Sequence, residues 1–431
     1  MTPRVRELVV FMEGRRAGTL SQDGPLLRFS YDETYRSDRG ATPLSVSMPL
    51  AIENHPNRVI RPWISGLLPD NDQVLTRWAR RFQVSVTPFA LLGTQIGTDC
   101  AGAVQFIPMD RAANFDPESG SVEWLSDEQV AQRLRDLRTD GASWLGVDFE
   151  GRFSLAGAQA KTALLLRDGQ WGIPSGATAT THILKPAING FDDHDLNEHL
   201  CLRAAAILGM PAAKTTVSSF ASERAVVVER YDRVPVDDVI RRVHQEDLCQ
   251  ALSVDPSLKY QSDGGPGPKA IAALIRDVMN NEKADRTVGQ FADALIFNWA
   301  IGGTDAHAKN YSLLLHRDRV DLAPLYDVAS ALPYETTEHK LRLAMKIGSD
   351  YSLTNQRPQL WSRLASELRL PVGTLRARAT QMLEAIPTAF AVACDDPEVS
   401  ALDSSLPTRL LEIIEDRAKV CLRSISEEVV G

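Results

Sequence analysis

Asp305 and Asn310 stand five positions apart in the segment Gly302-Gly303-Thr304-Asp305-Ala306-His307-Ala308-Lys309-Asn310-Tyr311-Ser312. Asp327 follows seventeen positions after Asn310, in Ala323-Pro324-Leu325-Tyr326-Asp327-Val328-Ala329-Ser330. Phosphoryl transfer needs such a set: a carboxylate that orients and accepts the proton of an attacking hydroxyl, and an amide oxygen plus a second carboxylate that hold Mg²⁺ on the phosphates. Asp and Asn after a Gly-Gly pair are also favoured turn residues. For Asp305 to Asn310 in isolation the two readings weigh about evenly. Asp327 and the upstream residues tip the balance to chemistry.

Protein kinases put a catalytic Asp and a metal-binding Asn at this same offset and bring a second metal Asp from a later strand end. Upstream, Lys185 ends the apolar run His182-Ile183-Leu184 and is followed by Pro186. A lysine at a strand end can aim its ammonium at nucleotide phosphates while its stem packs on the sheet, although a solvent-facing lysine is the commoner case. Glu198, in the helix-like stretch 196–208, is a candidate partner for Lys185. Ser154-Leu155-Ala156-Gly157-Ala158-Gln159-Ala160-Lys161-Thr162 is a turn of small residues between two strands, where backbone N–H groups can approach phosphates and Lys161 supplies charge. It is not a P-loop, which would need glycine at Leu155 and Ala160, and any tight hairpin has this look. The β-branched run Val226-Val227-Val228 leads into Glu229-Arg230-Tyr231-Asp232-Arg233, either a buried strand entering a surface loop or a hinge that meets a nucleotide base.

These residues need elements to hold them. Runs at 8–10, 18–21 and 26–31 read as strands. Asp70, Asn71 and Asp72 before Val74, Leu75, Trp78 and Phe82 read as a capped amphipathic helix, and 89–92 and 101–107 as a short helix and a closing strand. The aperiodic stretch 108–120, with its Pro, Gly, Asn and Asp, marks a boundary. A helix over 127–137 and strands over 153–155, 162–166, 172–173, 181–185, 217–220 and 224–231 follow. From Glu246 helical spacing takes over, at 269–278, 288–301, 359–368, 374–386 and 406–424. The expected fold is α+β in three consecutive units: residues 1–110 a small β-rich unit, 111–232 a mixed β unit with one helix, and 233–431 an all-α unit.

With 431 residues the chain is too long for one core. Its 47 Lys+Arg against 56 Asp+Glu give a net charge of −9, which excludes a generally basic nucleic-acid coat. Five dispersed cysteines form neither Cys-x-x-Cys nor a ligand cluster and read as reduced, packed thiols. The N-terminal stretch 1–14 lacks signal-peptide form, and 294–303 is too short to cross a bilayer. A cytoplasmic chain without membrane association is expected.

Together the segments SLAGAQAKTALL, THILKP, VVVERYDR, QEDLCQAL with PSLKYQSDGGPGP, GGTDAHAKNYSLLL and LAPLYDVAS closely resemble the HipA family, the serine/threonine-kinase toxins of bacterial HipBA toxin–antitoxin modules. FSYDETY, PLSVSMPL, WISGLLPDN and GAVQFIP resemble that family's N-terminal subdomain, so the likeness spans nearly the whole chain in the right order. The resemblance implies a two-lobed protein-kinase-like fold with an added N-terminal subdomain, and ATP and Mg²⁺ as cofactors. It makes Asp305 the catalytic base, Asn310 and Asp327 the Mg²⁺ ligands and Lys185 the phosphate-contacting lysine. Ala156, Gly157, Ala158, Gln159, Ala160 and Lys161 match the phosphate loop. Glu229, Arg230 and Tyr231 match the adenine-binding hinge, Asp232 the ribose contact, and His307 and Tyr326 further nucleotide positions. Ser154 matches the autophosphorylated serine whose modification, in the family, ejects the loop and switches the kinase off. Ala160 departs from the usual Gln-Glu-Lys of that loop. The resemblance further implies a protein substrate, with aminoacyl-tRNA synthetases the known class, and a HipB-like helix-turn-helix antitoxin that binds operator DNA. The acidic charge agrees with DNA contact resting on that partner, with Arg376 and Arg378 as possible helpers on an otherwise solvated helix face. Two other readings stand beside this one. One is a catalytically silent pseudokinase that acts as corepressor with a DNA-binding antitoxin. The other is a small-molecule kinase, which leaves the N-terminal unit unexplained.

Overall fold

The computed structural model describes residues 7–146, 151–237, 239–335 and 338–426. The chain forms two compact units rather than three consecutive ones. The first takes Met1–Pro186, Ser218–Ser257 and Ser312–Asp321, and the second Ala187–Val217, Leu258–Tyr311 and Leu322–Gly431.

In the first unit, five antiparallel strands lie in the order Asn54–Pro56, Leu26–Tyr31, Arg15–Asp23, Glu7–Met12, Val104–Pro108. Alternation in Leu27, Phe29 and Tyr31 sends every second side chain inward, as a period of two requires. Helix Asp72–Phe82 starts where Asn71 Oδ1 accepts from the N–H groups of Gln73 and Val74, and buries Val74 and Trp78. Helix Asn57–Gly66, which the sequence reading missed because it carries Pro62 and three polar or charged positions in its first two turns, buries Trp63 and Ile64. A second sheet runs Thr215–Phe220, Glu223–Glu229, His182–Pro186, Thr162–Arg167, Gln170–Gly176, Gly120–Leu125. Helix Asp127–Thr139, closed by a Ser126/Gln129 capping box, packs on its strands Glu223–Glu229 and His182–Pro186. One hydrophobic core runs unbroken from Leu8 and Phe29 through Trp63, Trp78 and Trp144 to Leu164, Leu184 and Val227. That continuity is why the structure shows no division near residues 108–120: neither sheet can bury its apolar face without the other.

Two hairpin-like additions extend this unit beyond residue 232, where helices were expected. Arg233–Val236 pairs with Val239–Arg242, and His244–Asp247 pairs with Ser312–His316, with Asp247 opposite Ser312. Four-residue strands interrupted by Pro235 or ending in paired arginines carry too short an alternation to be read from sequence.

The second unit is mainly helical: His194–Ile207, Pro268–Val278, Asn281–Ile301, Pro358–Leu368, Val372–Cys394 and Leu406–Ser426. Helix Val372–Cys394 packs on Leu406–Ser426, Asn281–Ile301 and His194–Ile207. A small strand pair, Arg342–Ile347 with Asp350–Ser352, is added. All five cysteines are free. No helix among the described residues is long and apolar enough to cross a membrane.

Glu246, on the strand His244–Asp247, is buried and accepts the N–H of Val46 at 2.8 Å. Burial pushes its carboxyl up to about 8, against the opposing pull of hydrogen bonds from Ser45 and Val46. Because the folded value exceeds the ordinary value of 4.5, the unfolded chain loses this proton first, and stability falls as pH rises from about 4.5 to about 8. Glu246→Gln should remove that component, at most about 1.4 kcal/mol per pH unit. Thermal melts across this range check it: the variant should gain in Tm over the parent progressively toward pH 8, and parallel curves would refute the assignment.

Candidate active site

Helix Asn281–Ile301 ends at Gly302, which adopts φ +67°, and Gly303 N–H bonds back to Asn298 O at 2.7 Å. A Cβ at Gly302 would stand 2.6 Å from Leu332 Cγ and one at Gly303 2.3 Å from Asn298 Oδ1, so both glycines are required by space. The tight exit delivers Asp305 to an exposed position. Its carbonyl accepts the His307 N–H at 2.8 Å and the Asn310 Nδ2–H at 2.9 Å, and Asn310 N–H returns to His307 O at 2.9 Å. Fixing Nδ2 on that carbonyl leaves Asn310 Oδ1 as the outward acceptor, the atom a cation needs. Tyr260 donates its hydroxyl to Asp305 Oδ1 at 2.5 Å, and its ring meets His307 edge-on at 4.9 Å. Tyr326 donates to Lys309 O at 2.6 Å, tying the following loop to this one. Asp327, next in the chain, has φ +57°, a left-handed conformation that a non-glycine residue adopts at a local cost.

Asn310 and Asp327 fit Mg²⁺: one amide oxygen and one carboxylate are the usual protein share when nucleotide phosphates and water complete an octahedron. Among the described residues no group of three or more His, Cys, Asp or Glu forms a closed metal cage, which such a shared site does not require.

The remaining sequence candidates belong to the first unit. Lys185 is buried in the strand His182–Pro186, opposite Val226 of Glu223–Glu229, and is not the solvent-facing lysine of the plain reading. Between Ala156 and Lys161 the chain wraps its own lysine: Lys161 Nζ donates to Ala156 O at 2.8 Å and lies 4.8 Å from the Trp144 ring centre. Gly157 has φ +102°, and a Cβ there would sit 2.4 Å from that ammonium. Gln159 Nε2 is buried with no hydrogen-bond partner among the described residues. An orphaned donor beside a cation in a turn of small residues fits an anion such as a phosphate. Ala160 displaces neither the Lys161 ammonium nor the Gln159 amide of this turn. Ser154 is fully buried, its Oγ–H given to Leu67 O at 2.8 Å.

Glu229 and Tyr231 are half-buried, and Arg230 N–H is held by Thr181 O at 2.9 Å. Asp232 departs from the ribose-contact expectation. Its carboxylate takes Arg230 Nε at 3.0 Å and Nη2 at 2.8 Å, Gly102 N–H at 2.7 Å and Arg233 at 2.9 Å, and it is 4% exposed. Desolvation and ion pairing are satisfied inside the protein, so this acid is structural. Its counterpart, Asp99, was not foreseen; it binds Arg233, Arg242 and Thr180. Burial would raise the Asp99 carboxyl, but the guanidiniums of Arg233, Arg230 and Arg242 hold it well below the usual carboxylate range. In the second unit Arg378 pairs with Asp293, Nε to Oδ1 at 2.8 Å, and Arg376 donates to Pro358 O at 3.2 Å, so neither is an idle surface arginine. Glu198 is buried on helix His194–Ile207.

The fold and the relatives that share it define the class, a serine/threonine protein kinase. Residues 8–107 match the model of the HipA N-terminal domain and 153–390 that of the HipA-like C-terminal domain. The chain is 37% identical over 427 residues to putative kinase Y4mE of Sinorhizobium fredii, covering 98% of this chain and 100% of the relative. It is 30% identical to the serine/threonine-protein kinase toxin HipA of Shewanella oneidensis, over 87% of this chain and 86% of that one. A solved structure of Shewanella oneidensis HipA with HipB and its operator DNA superposes with a TM-score of 0.82 at 25% identity, covering 98% of this chain and 100% of that one. This chain belongs to the HipA family.

Tyr260 lies in the segment PSLKYQSDGGPGP, where sequence reasoning assigned it no role; its bond to Asp305 and its ring contact with His307 supply one. A hydrogen bond to a charged group contributes about 1.5–3 kcal/mol. Tyr260→Phe should therefore lower kcat by roughly 10-fold or more while ATP affinity stays within about twofold. Steady-state kinetics would show it, and an unchanged kcat would remove Tyr260 from the catalytic arrangement.

Proposed function

We propose that this kinase uses ATP and Mg²⁺ to phosphorylate a serine or threonine of a translation protein, an aminoacyl-tRNA synthetase, as the toxin of a module neutralised by a HipB-like helix-turn-helix antitoxin. The observation that carries the catalytic part is the exposed Asp305 carboxylate on a loop whose carbonyl also aims Asn310 Oδ1. Asp305 orients the substrate hydroxyl and accepts its proton. Asn310 and Asp327 would hold Mg²⁺, which neutralises charge on the nucleotide phosphates when bound. Lys185 and the loop Ala156–Lys161 carry those phosphates, the backbone of Glu229 and Tyr231 meets adenine, and His307 and Tyr326 shape the nucleotide site through Tyr260 and Lys309. Ser154 is the residue modified in autophosphorylation.

The naming of HipB and operator DNA in the complex of the Shewanella relative supports the antitoxin reading. A net charge of −9 supports operator contact made chiefly through a basic partner. The alternative, a catalytically silent corepressor, is disfavoured by the intact Asp305, Asn310 and Asp327 set.

Incubation with labelled ATP should label Ser154 or an added synthetase, and Asp305→Asn should lower the rate by about 10²–10⁴. Equal labelling by the variant would sink the catalytic assignment. Expression without antitoxin should arrest growth in the parent and not in Asp327→Ala; arrest by both would favour the corepressor.

A further inference from the structure

We propose that Asn197 is a positioning residue for the metal loop, and that helix His194–Ile207 with the turn after it forms a two-point clamp on Asp327. The proposal rests on the reading of Asp327 as a Mg²⁺ ligand.

The first point lies two residues before Asp327. Leu325 N–H donates to Pro211 O at 2.8 Å, and Ala213 N–H donates to Leu325 O at 2.8 Å, a parallel bridge that grips both backbone groups of Leu325. The second point lies three residues after it. Asn197 Nδ2–H donates to Ser330 O at 2.8 Å, and Ser330 N–H donates to Asn197 Oδ1 at 2.9 Å. A primary amide that engages both backbone groups of one residue fixes that residue's position and orientation together. Asn197 has no exposed surface, and Ser330 is 2% exposed, so water does not compete for either bond.

The same Ser330 reaches the catalytic loop. Its Oγ–H goes to Ile301 O at 2.6 Å, and Ala331 N–H to Gly302 O at 3.0 Å, at the turn that delivers Asp305. Asn197 therefore sets the loop carrying Asp327 against the helix end carrying Asp305. Between the two grips Asp327 holds φ +57°, a conformation that persists only where its surroundings over-determine it. The helix is itself anchored, since it packs on Val372–Cys394 and Leu406–Ser426 within the same unit. The clamp is thus built into the helical unit that bears the metal ligands.

Second-sphere groups that orient a metal ligand typically change metal affinity by roughly 10–100-fold when removed. The test is a Mg²⁺ titration of the binding of a fluorescent ATP analogue to the full-length chain. Asn197→Ala should raise the half-saturating Mg²⁺ concentration by about 10-fold or more. Binding measured without Mg²⁺ should stay within about twofold of the parent. A variant that merely lost folded protein would lower the amplitude and leave the midpoint where it was. If Asn197→Ala does not fold, Asn197→Asp carries the test. It keeps the acceptor for Ser330 N–H and sets an oxygen against Ser330 O, so its midpoint should rise as well. Parent-like midpoints in the variant that folds overturn the proposal. A parent chain whose ATP binding ignores Mg²⁺ overturns the metal reading of Asp327 instead, and this inference with it.

Discussion

Five buried ionic side chains hold the first unit in one arrangement. Asp99 and Asp232 face Arg230, Arg233 and Arg242, and all five side chains are 8% exposed or less. Charges this deep survive only when each is paired and hydrogen-bonded, because removing one partner commonly costs about 3–5 kcal/mol. That is a large share of the 5–15 kcal/mol by which a typical domain is stable. The knot satisfies the condition through geometry rather than charge balance, since three guanidiniums meet two carboxylates. The surplus is absorbed by carbonyls: Cys100 O takes Arg230 Nη2 at 3.0 Å and Arg233 Nη2 at 2.8 Å, and Ala177 O takes Arg242 Nη1 at 2.9 Å.

What the knot joins explains why the unit ignores the expected boundary near residues 108–120. Asp99 and Cys100 come from the chain that enters the last strand of the N-terminal sheet. Arg230, Asp232 and Arg233 follow the strand Glu223–Glu229, and Thr180, bound to Asp99 Oδ2 at 2.7 Å, precedes the strand that bears Lys185. A linker between two independent domains would leave such a cluster half in water, where ion pairs contribute little. Here the shared core of aromatic and aliphatic side chains keeps it dry, and the dry surroundings make its directional bonds decisive. The N-terminal sheet is therefore tied to the residues after strand Glu223–Glu229 and, through Thr180, to the strand that bears Lys185. Asp99 O also accepts Ser154 N–H at 2.9 Å, which carries the same order one step further into the loop.

The parts of this structure that could be read from sequence are those governed by local rules. The Asn71-capped helix, the Ser126 capping box and the apolar faces of the long C-terminal helices follow from spacing and cap chemistry. Asp305, Asn310 and Asp327 drew notice because phosphoryl transfer asks for those residue types in that order, and the loops that carry them are tied by Tyr326 to Lys309 O. Asp99, Tyr260 and Asn197 were not legible, because each acts on a residue far away along the chain. Asp99 reaches Arg233 across 134 positions and Asn197 reaches Ser330 across 133. Asp232 was read as a ribose contact because an acid after a strand looks exposed; its near neighbours Arg230 and Arg233 and the distant Gly102 N–H enclose it instead. Long-range pairing of buried polar groups leaves no period in a sequence, and that is where local reading stops.

Ser154 shows how far these constraints reach. Its side chain has no exposed surface, its hydroxyl is spent on Leu67 O, and its N–H is spent on Asp99 O. Three residues on, Gly157 O accepts Asp70 N–H at 2.9 Å, so the loop is seated on the N-terminal sheet's side at both ends of its first turn. A phosphate brings three oxygens and about −1.5 to −2 charges at neutral pH. It would turn the donor toward Leu67 O into an acceptor. A side chain with no exposed surface leaves no room for such a group where Ser154 sits. The packing that buries the Ser154 hydroxyl thus reaches the turn in which Lys161 bonds to Ala156 O.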